Sequence, residues 1–182
     1  TEKMKTEAVD WKAYEELSRR TAAEGAVLLK NEQGALPLKE GEHIAVFGRC
    51  QIEYYRSGTG SGGAVHVPYS TNLLDELRRK KGILLDEALE ETYRNWILKH
   101  PFDNGGGGWA AEPWFQKDMP LDKILVDEAA SKSKKAMYVI GRTAGEDKDN
   151  LKEAGSFLLT EQEKENLRQI TAAFEQVIVV LN

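Results

Sequence analysis

The sequence predicts an α/β fold, a three-layer α/β/α sandwich around a mostly parallel sheet that is incomplete at its C-terminal end. Three observations support this class. Short apolar runs rich in β-branched residues recur along the chain, amphipathic helical segments separate them, and 182 residues with 41% hydrophobic content suffice for one substantial core. Continuously apolar strands that alternate with helices are typical of parallel sheets covered on both faces.

The chain begins with a predicted helix followed by a short apolar run. Asp10 is a suitable N-cap, and the helix that follows it ends at Gly25. The run AVLLKN at 26–31 has the composition of a short strand. HIAVFG at 43–48 is rich in β-forming residues and ends in glycine, so a further strand is expected there.

Two helices in succession and a long loop are predicted next. The segment 70–82 places three leucines on one face and ends at a glycine, and the segment 86–100 is amphipathic. Residues 101–120 contain four consecutive glycines and three prolines. This composition is incompatible with regular structure over most of the segment, so 101–120 is predicted to be a long Gly/Pro-rich loop.

The last third of the chain alternates between helix and strand. A helix is predicted over 121–133, and AMYVIG at 136–141 is an apolar strand that ends in glycine. Thr160 and Glu163 form a capping-box pair at the start of a further helix. VIVVLN at 177–182 has the pattern of another buried strand. The sandwich assignment depends on this alternation.

Charge and composition argue against several classes of function. The net charge is −5 and the basic residues are scattered among acidic ones, so no nucleic-acid partner is expected. The apolar runs are far shorter than the roughly 20 residues of a membrane span, so no membrane association is expected. Cys50 is the only cysteine, which suits a cytoplasmic location. The three histidines lack metal-ligand spacing, so neither a metal nor another cofactor is expected.

Two loops that follow buried strands contain the most unusual residues. They are residues 49–69, after HIAVFG, and residues 142–158, after AMYVIG. Ligands bind to open parallel sheets at the carboxyl ends of the strands, because the loops that leave those ends share one edge. We therefore expect the two loops to face the same cleft.

The first of these loops contains Gly58, Gly60 and Gly63 at the spacing G-x-G-x-x-G. A dinucleotide-binding fingerprint needs its first glycine directly after a strand and its third at the start of a helix, and neither condition holds here. A flavodoxin-like nucleotide-binding domain and a surface loop without function remain alternatives. A loop in which Gly60 lets the backbone and the hydroxyls of Thr59 and Ser61 approach a ligand suits a polyhydroxylated molecule.

The second loop carries a candidate acid. Glu146 follows a glycine and lies in the charged stretch GRTAGEDKDN. A glutamate on a flexible hinge can act as a general acid. It then needs a neighbouring carboxylate or desolvation to raise its pKa, whereas Arg142 or Lys148 close by would lower that pKa. An ordinary solvated charge cluster is the alternative interpretation.

The combined motifs resemble a known family. Four stretches of this chain resemble, in order and spacing, the α/β sandwich domain of glycoside hydrolase family 3. They are IAVFGRCQIEYYRSGTGSGGAV, ETYRNWI, YVIGRTAGEDKDNLKEAGSFLLTEQEKENL and VIVVLN. The stretch AAEGAVLLKNEQGALPL resembles the segment that enters this domain. Since the similarity covers most of residues 10–182, residues 1–182 are interpreted as a partial sandwich domain of a larger glycoside hydrolase.

The resemblance implies a retaining, exo-acting β-glycosidase, in particular a β-glucosidase that hydrolyses terminal β-linked glucosyl residues. In this family a (β/α)-barrel of the same polypeptide donates an aspartate nucleophile and the sandwich donates the acid/base glutamate. Glu146 matches that glutamate, and Ser61 matches the serine of the glycine-rich loop that borders the sugar site. Thr59 and Gly60 are the further substrate-binding candidates. The chain has no eight βα units and so lacks the barrel, and by itself it is expected to be inactive.

Two positions in the second loop depart from the family pattern. Many relatives have serine or threonine where Ala144 stands and arginine where Asn150 stands, so the hydrogen bonding of this loop is expected to differ here. A noncatalytic carbohydrate-binding or assembly fragment of the same fold is the main alternative function.

Other side chains are weaker candidates. Trp109 and Trp114 are candidates for stacking on a sugar ring, although local anchoring of their loop is the favoured interpretation. Arg49, Gln51 and Glu53 are candidates for lining the cleft.

Overall fold

The computed structural model describes residues 9–63 and 65–182. The chain divides into two compact units, of which the first ends at Glu32 and the second runs from Gln33 to Asn182. Residues 1–8 of the predicted domain lie outside the described residues. The first unit contains helix α1, Trp11–Gly25, whose N-cap Asp10 accepts a hydrogen bond from the Ala13 N–H as predicted.

The second unit contains a parallel sheet with helices on both faces, which confirms the predicted fold class. In the described residues the strand order is β2-β1-β3-β4, and all pairs are parallel. Its strands and helices, in chain order, are β1 His43–Phe47, α2 Leu73–Arg79, β2 Leu84–Leu85, α3 Glu87–Lys99, α4 Lys123–Lys132, β3 Lys135–Ile140, α5 Glu161–Ala173 and β4 Gln176–Leu181. Short 3₁₀ turns lie at Arg49–Gln51 and Gly105–Gly107.

Side chains in the sequence fix where these helices begin. The N-caps of α2, α3 and α4 are Asn72, Asp86 and Asp122, and each side chain accepts a hydrogen bond from a backbone N–H of the first turn. The predicted capping box of Thr160 and Glu163 is confirmed, since each side chain accepts from the other residue's backbone N–H.

Alternation along the central strands divides the core into two apolar clusters. Ala45 and Phe47 of β1 face α3, α4 and α5, whereas Ile44 and Val46 of the same strand face α2 and residues 35–38. The first face is therefore covered by three helices, and the second by one short helix and an extended segment. Both clusters lie against the sheet, which holds the carboxyl ends of β1 and β3 side by side.

One edge of the described sheet is formed by β4. All six of its residues pair with β3, from Gln176 opposite Lys135 to Leu181 opposite Ile140. Val179 and Leu181 are 42% and 63% exposed although the strand is apolar.

One strand expected from the sequence is absent, and one strand of the structure was not expected. Residues 26–31 form no strand, because a strand requires a hydrogen-bonded neighbour and an apolar composition cannot supply one. Between the two predicted helices the chain adds β2, Leu84–Leu85, which pairs with His43 and Ile44 of β1. The apolar run after Gly82 was the signal for this strand, and its two-residue length concealed it.

A buried polar network fixes the loop of residues 101–120, hereafter the tryptophan loop, to the carboxyl end of β1. The Arg49 guanidinium donates to two backbone carbonyls, that of His100 just before the loop and that of Lys117 near its end. The Asp118 carboxylate accepts from the Arg49 N–H and from the Tyr138 hydroxyl. Burial raises the pKa of Asp118 above its ordinary value. The loop thus has no regular strand or helix over most of its length but has fixed ends.

Candidate active site

The two loops predicted to share an edge meet in the structure. The Thr59 N–H donates to the Ala144 carbonyl at 3.1 Å, and the Glu146 N–H donates to the Thr59 carbonyl at 3.4 Å. These bonds surround a parallel bridge between Thr59 and Gly145. The loop of residues 49–69, hereafter the glycine loop, is therefore joined through its backbone to residues 142–150, hereafter the acid segment.

Close approach explains two glycines of the G-x-G-x-x-G stretch. A Cβ on Gly58 would lie 2.1 Å from the Ala144 carbonyl oxygen. Gly60 has a φ of +87°, and a Cβ there would lie 2.4 Å from the Glu146 Cβ and 2.7 Å from its Oε2. Any larger residue at these positions would push the acid segment away. The glycines thus allow contact between the loops, and in the described residues the first helix after Gly63 begins only at Leu73, too far along the chain to receive a pyrophosphate held by these glycines.

Glu146 and Ser61 form a hydrogen-bonded pair at this edge. The Ser61 N–H and hydroxyl both donate to Glu146 Oε2, at 2.8 and 2.7 Å. The Ser61 N–H, and then its hydroxyl, lower the pKa of Glu146 below its ordinary value, because both bonds favour the charged carboxylate. Both side chains are exposed, so a ligand could reach the carboxylate.

The two cations expected to affect Glu146 are engaged elsewhere. Arg142 donates to both carboxylate oxygens of Glu163 at 2.7 Å and to the Ser156 carbonyl at 2.9 Å. Lys148 donates to the backbone carbonyls of Ala110 and Glu112. The lowered pKa of Glu146 therefore arises from Ser61, a cause that charge spacing in the sequence did not reveal.

A cleft of about 710 Å³ opens beside this pair. Its lining combines hydroxyl and amide groups with aromatic rings, which is the chemistry that carbohydrate recognition uses. The lining residues that bear on this point are Ser57, Thr59, Gly60, Ser70, Asn72, Phe102 and Trp109. Glu112 also lines the cleft, and burial raises the pKa of its carboxyl group.

Not all candidate residues reach the cleft. Arg49 is 2% exposed and Gln51 is fully buried, whereas Glu53 is half-buried and lines the cleft while pairing with Arg49. Thr59 lines the cleft although it is only 8% exposed, and its backbone holds the acid segment. The expectation that Arg49 and Gln51 line the cleft was wrong, because both side chains are buried at the start of the glycine loop. Cys50 is buried as well.

Both tryptophans of the tryptophan loop bind the acid segment. The Trp109 indole N–H donates to the Asp147 carboxylate at 2.9 Å, and that of Trp114 donates to the Asp149 carbonyl at 3.1 Å. The favoured interpretation of local anchoring is thus confirmed, with the acid segment as the anchor point. The sequence held no signal that these two loops would touch.

Two kinds of feature bear on function, namely metal sites and membrane-spanning helices. Among residues 9–63 and 65–182, no group of three or more His, Cys, Asp or Glu side chains lies close enough to hold a metal ion. None of the described helices is both long enough and apolar enough to cross a bilayer.

Comparison with known proteins adds independent information. Residues 26–182 match the family model described as the glycosyl hydrolase family 3 C-terminal domain. A β-glucosidase from Ruminococcus albus is 47% identical over 174 residues, which cover 96% of this chain and 18% of that protein.

Solved structures give the same picture. The crystal structure of a β-glucosidase from Paenibacillus barengoltzii matches with a TM-score of 0.91 and 57% identity, over 96% of this chain and 19% of that one. β-Glucosidase 3B from Thermotoga neapolitana, in complex with α-D-glucose, matches with a TM-score of 0.82 and 32% identity, over 95% and 24%. The chain thus spans between 18% and 24% of the length of these relatives.

Proposed function

Because this chain belongs to glycosyl hydrolase family 3, as its motifs predicted, we propose that it is the acid/base-bearing part of a retaining, exo-acting β-glucosidase. The proposed substrate is a β-glucoside or oligosaccharide with a terminal β-linked glucosyl residue. One observation carries the proposal: the exposed carboxylate of Glu146 is held by Ser61, directly next in the chain to Thr59 and Gly60, which line a polar and aromatic cleft.

Glu146 has the acid/base role in this proposal. In a retaining mechanism one carboxylate attacks the anomeric carbon, while a second carboxyl group, roughly 5 Å away, protonates the leaving oxygen. The same group then removes a proton from the water that hydrolyses the glycosyl-enzyme intermediate. We assign the attacking carboxylate to an aspartate of a (β/α)-barrel in the same polypeptide, outside this chain.

The Ser61 contact bears on when Glu146 carries a proton. Two donors on one carboxylate oxygen favour the ionised form, which is the form required to activate water. Protonation for the first step requires the pKa of Glu146 to rise. A nearby nucleophile carboxylate and a bound sugar that excludes water both act in that direction.

The glycine loop supplies the proposed contacts to substrate. Ser61 is exposed beside Glu146, and Thr59 and Gly60 line the adjacent cleft. Gly60 allows the backbone to pass close to the ligand because it has no side chain. We also propose a cytoplasmic location for the parent protein, on the basis of the one cysteine of this chain, which is buried.

The direct test uses the full-length protein and an aryl β-glucoside. Proton NMR of the early reaction should show β-glucose as the first product, since double displacement retains the anomeric configuration. Alternatively, first release of the α-anomer, or no hydrolysis of any glycoside in an aryl panel, would contradict the proposed function.

Ser61→Ala is expected to raise the pKa of Glu146. The substitution removes the hydroxyl donor and keeps the backbone N–H, so the charged carboxylate loses one of its two stabilising bonds. Below neutral pH, Glu146 would then be ionised to a smaller extent at any given pH. Carbon-13 NMR of the carboxyl groups measures this, with Glu146→Gln to assign the signal.

The matched control for this titration is Ser57→Ala, an exposed serine of the same loop. It should leave the Glu146 titration unchanged. A Glu146 pKa that stays constant or falls in Ser61→Ala would show that the hydroxyl does not hold the carboxylate.

A further inference from the structure

The tryptophan loop contacts three consecutive residues of the acid segment. Trp109 donates to the side chain of Asp147, Trp114 donates to the backbone of Asp149, and Lys148 between them donates to carbonyls of the tryptophan loop. These contacts lie directly after Glu146 in the chain.

Two more contacts complete the attachment. The Thr143 N–H donates to the Trp114 carbonyl at 2.7 Å, which attaches the acid segment before Glu146 as well. The ammonium group of Lys148 also lies 5.6 Å from the centre of the Trp114 ring, within the range of a cation–π interaction.

We propose that the tryptophan loop is a clamp that positions Glu146 for proton transfer, with Trp109, Trp114 and Lys148 as positioning residues. This inference rests on the proposed function. The clamp holds residues 147–149 by hydrogen bonds, and the glycine loop does the same for residues 144–146. Glu146 is thereby fixed in space although its side chain is exposed.

Backbone geometry explains why the acid segment needs such a clamp. Asp147 has a φ of +61°, a left-handed conformation that residues other than glycine adopt uncommonly. Gly145, before the glutamate, adds conformational freedom. The hydrogen bond from Trp109 to the Asp147 carboxylate is charge-assisted, and such bonds are about twice as strong as neutral ones.

The clamp can hold the acid segment because its own frame is fixed. The Gln116 side chain is buried, accepts from the Asp103 N–H at 2.7 Å and donates to the Asp103 carbonyl at 2.9 Å. Asn166 of α5 donates to the Met119 carbonyl and accepts from the Leu121 N–H. Thus the loop is braced internally as well as at its carboxyl end.

The test uses Trp109→Phe, Trp114→Phe and the double variant of the full-length protein. Each change removes an indole N–H donor and keeps an aromatic ring. We expect kcat/KM for alkyl β-glucosides, whose leaving groups need protonation, to fall by about 10- to 10²-fold in the double variant, because a misplacement of about 1 Å can cost 10²-fold. For 2,4-dinitrophenyl β-glucoside, whose leaving group needs little protonation, kcat/KM should change less than about threefold.

Lys148→Met is a second test of the clamp, and it leaves both tryptophans in place. It removes the cation between the two carbonyls and keeps the apolar stem, so the same selective loss on alkyl glucosides is expected. The matched control is Trp11→Phe on α1, whose ring packs edge-to-face against Tyr14, and it should affect both substrates alike or not at all.

The outcomes separate the clamp from the proposed function. If Glu146→Ala shows the leaving-group dependence but the clamp variants lose activity equally on both substrates, or lose none, the clamp is wrong and the function stands. If Glu146→Ala itself shows no such dependence, the proposed function fails and the clamp fails with it. Thermal melts of each variant identify losses that come from unfolding, and Lys148→Met then decides the question.

Discussion

Glu146→Ala in the full-length protein is expected to lower kcat/KM for alkyl β-glucosides by about 10²- to 10⁴-fold, which is the usual contribution of a positioned general acid. An alkoxide is a poor leaving group unless it is protonated as the bond breaks. For 2,4-dinitrophenyl β-glucoside kcat/KM should be nearly unchanged, because the phenolate leaves without a proton. Initial rates across a series of leaving groups measure this difference.

A second readout concerns the later half of the reaction. Without Glu146, water lacks its general base, so the glycosyl-enzyme should accumulate and kcat for the dinitrophenyl substrate should fall. Added azide, which needs no base, should restore turnover and give a glycosyl azide.

The matched control is Glu153→Ala, an exposed carboxylate in the turn that follows the acid segment. It is expected to retain the parent activity on both classes of substrate. Equal losses for alkyl and dinitrophenyl glucosides in Glu146→Ala would remove Glu146 from the acid/base role.

Arg49→Met should cost about 3–5 kcal/mol of domain stability, the range found when one member of a buried ion pair is removed. Arg49 is 2% exposed, and its guanidinium pairs with Glu53 and packs over the Trp96 ring. Its loss leaves the Glu53 carboxylate without its cation and the carbonyls of His100 and Lys117 without their donor. Native-state hydrogen exchange of the β1 and β3 amides reports the stability of this domain within the full-length protein.

An exposed pair provides the comparison for this measurement. Arg168→Met removes a cation that pairs with Glu165 on α5, where the side chains are 68% and 44% exposed. That change should cost no more than about 1 kcal/mol. If Arg49→Met is as mild as Arg168→Met, the network beneath the tryptophan loop does not stabilise the domain.

Local patterns were enough to predict most of the fold. The caps at Asp10 and Thr160, and the apolar strands at 43–48 and 136–141, depend on neighbours in sequence, so they could be found without coordinates. The prediction of a strand at 26–31 was wrong because strand formation depends on a partner elsewhere in the chain. A parallel sheet could still be inferred, since alternating helices and buried strands leave few other arrangements.

The candidate site was predictable in part. The rule that loops leave parallel strands at one edge placed Ser61 and Glu146 on the same side, and the structure brings them into contact. Their hydrogen bonds, the burial of Arg49 and the attachment of Trp109 to Asp147 are contacts between residues far apart in sequence. Such contacts depend on exact loop conformations, for which a single sequence carries no periodic signal.

The uncovered side of β4 has a practical consequence for anyone who handles this stretch of chain in isolation. Its last five residues, Val177 to Leu181, are uncharged and strongly β-forming, and the backbone groups on that side of the strand are an open template for another chain. No lysine or proline interrupts this run, and such residues would disfavour β-strand pairing between molecules. Self-association at high concentration is therefore expected when this stretch of chain is prepared alone, and the intact polypeptide is the safer starting material.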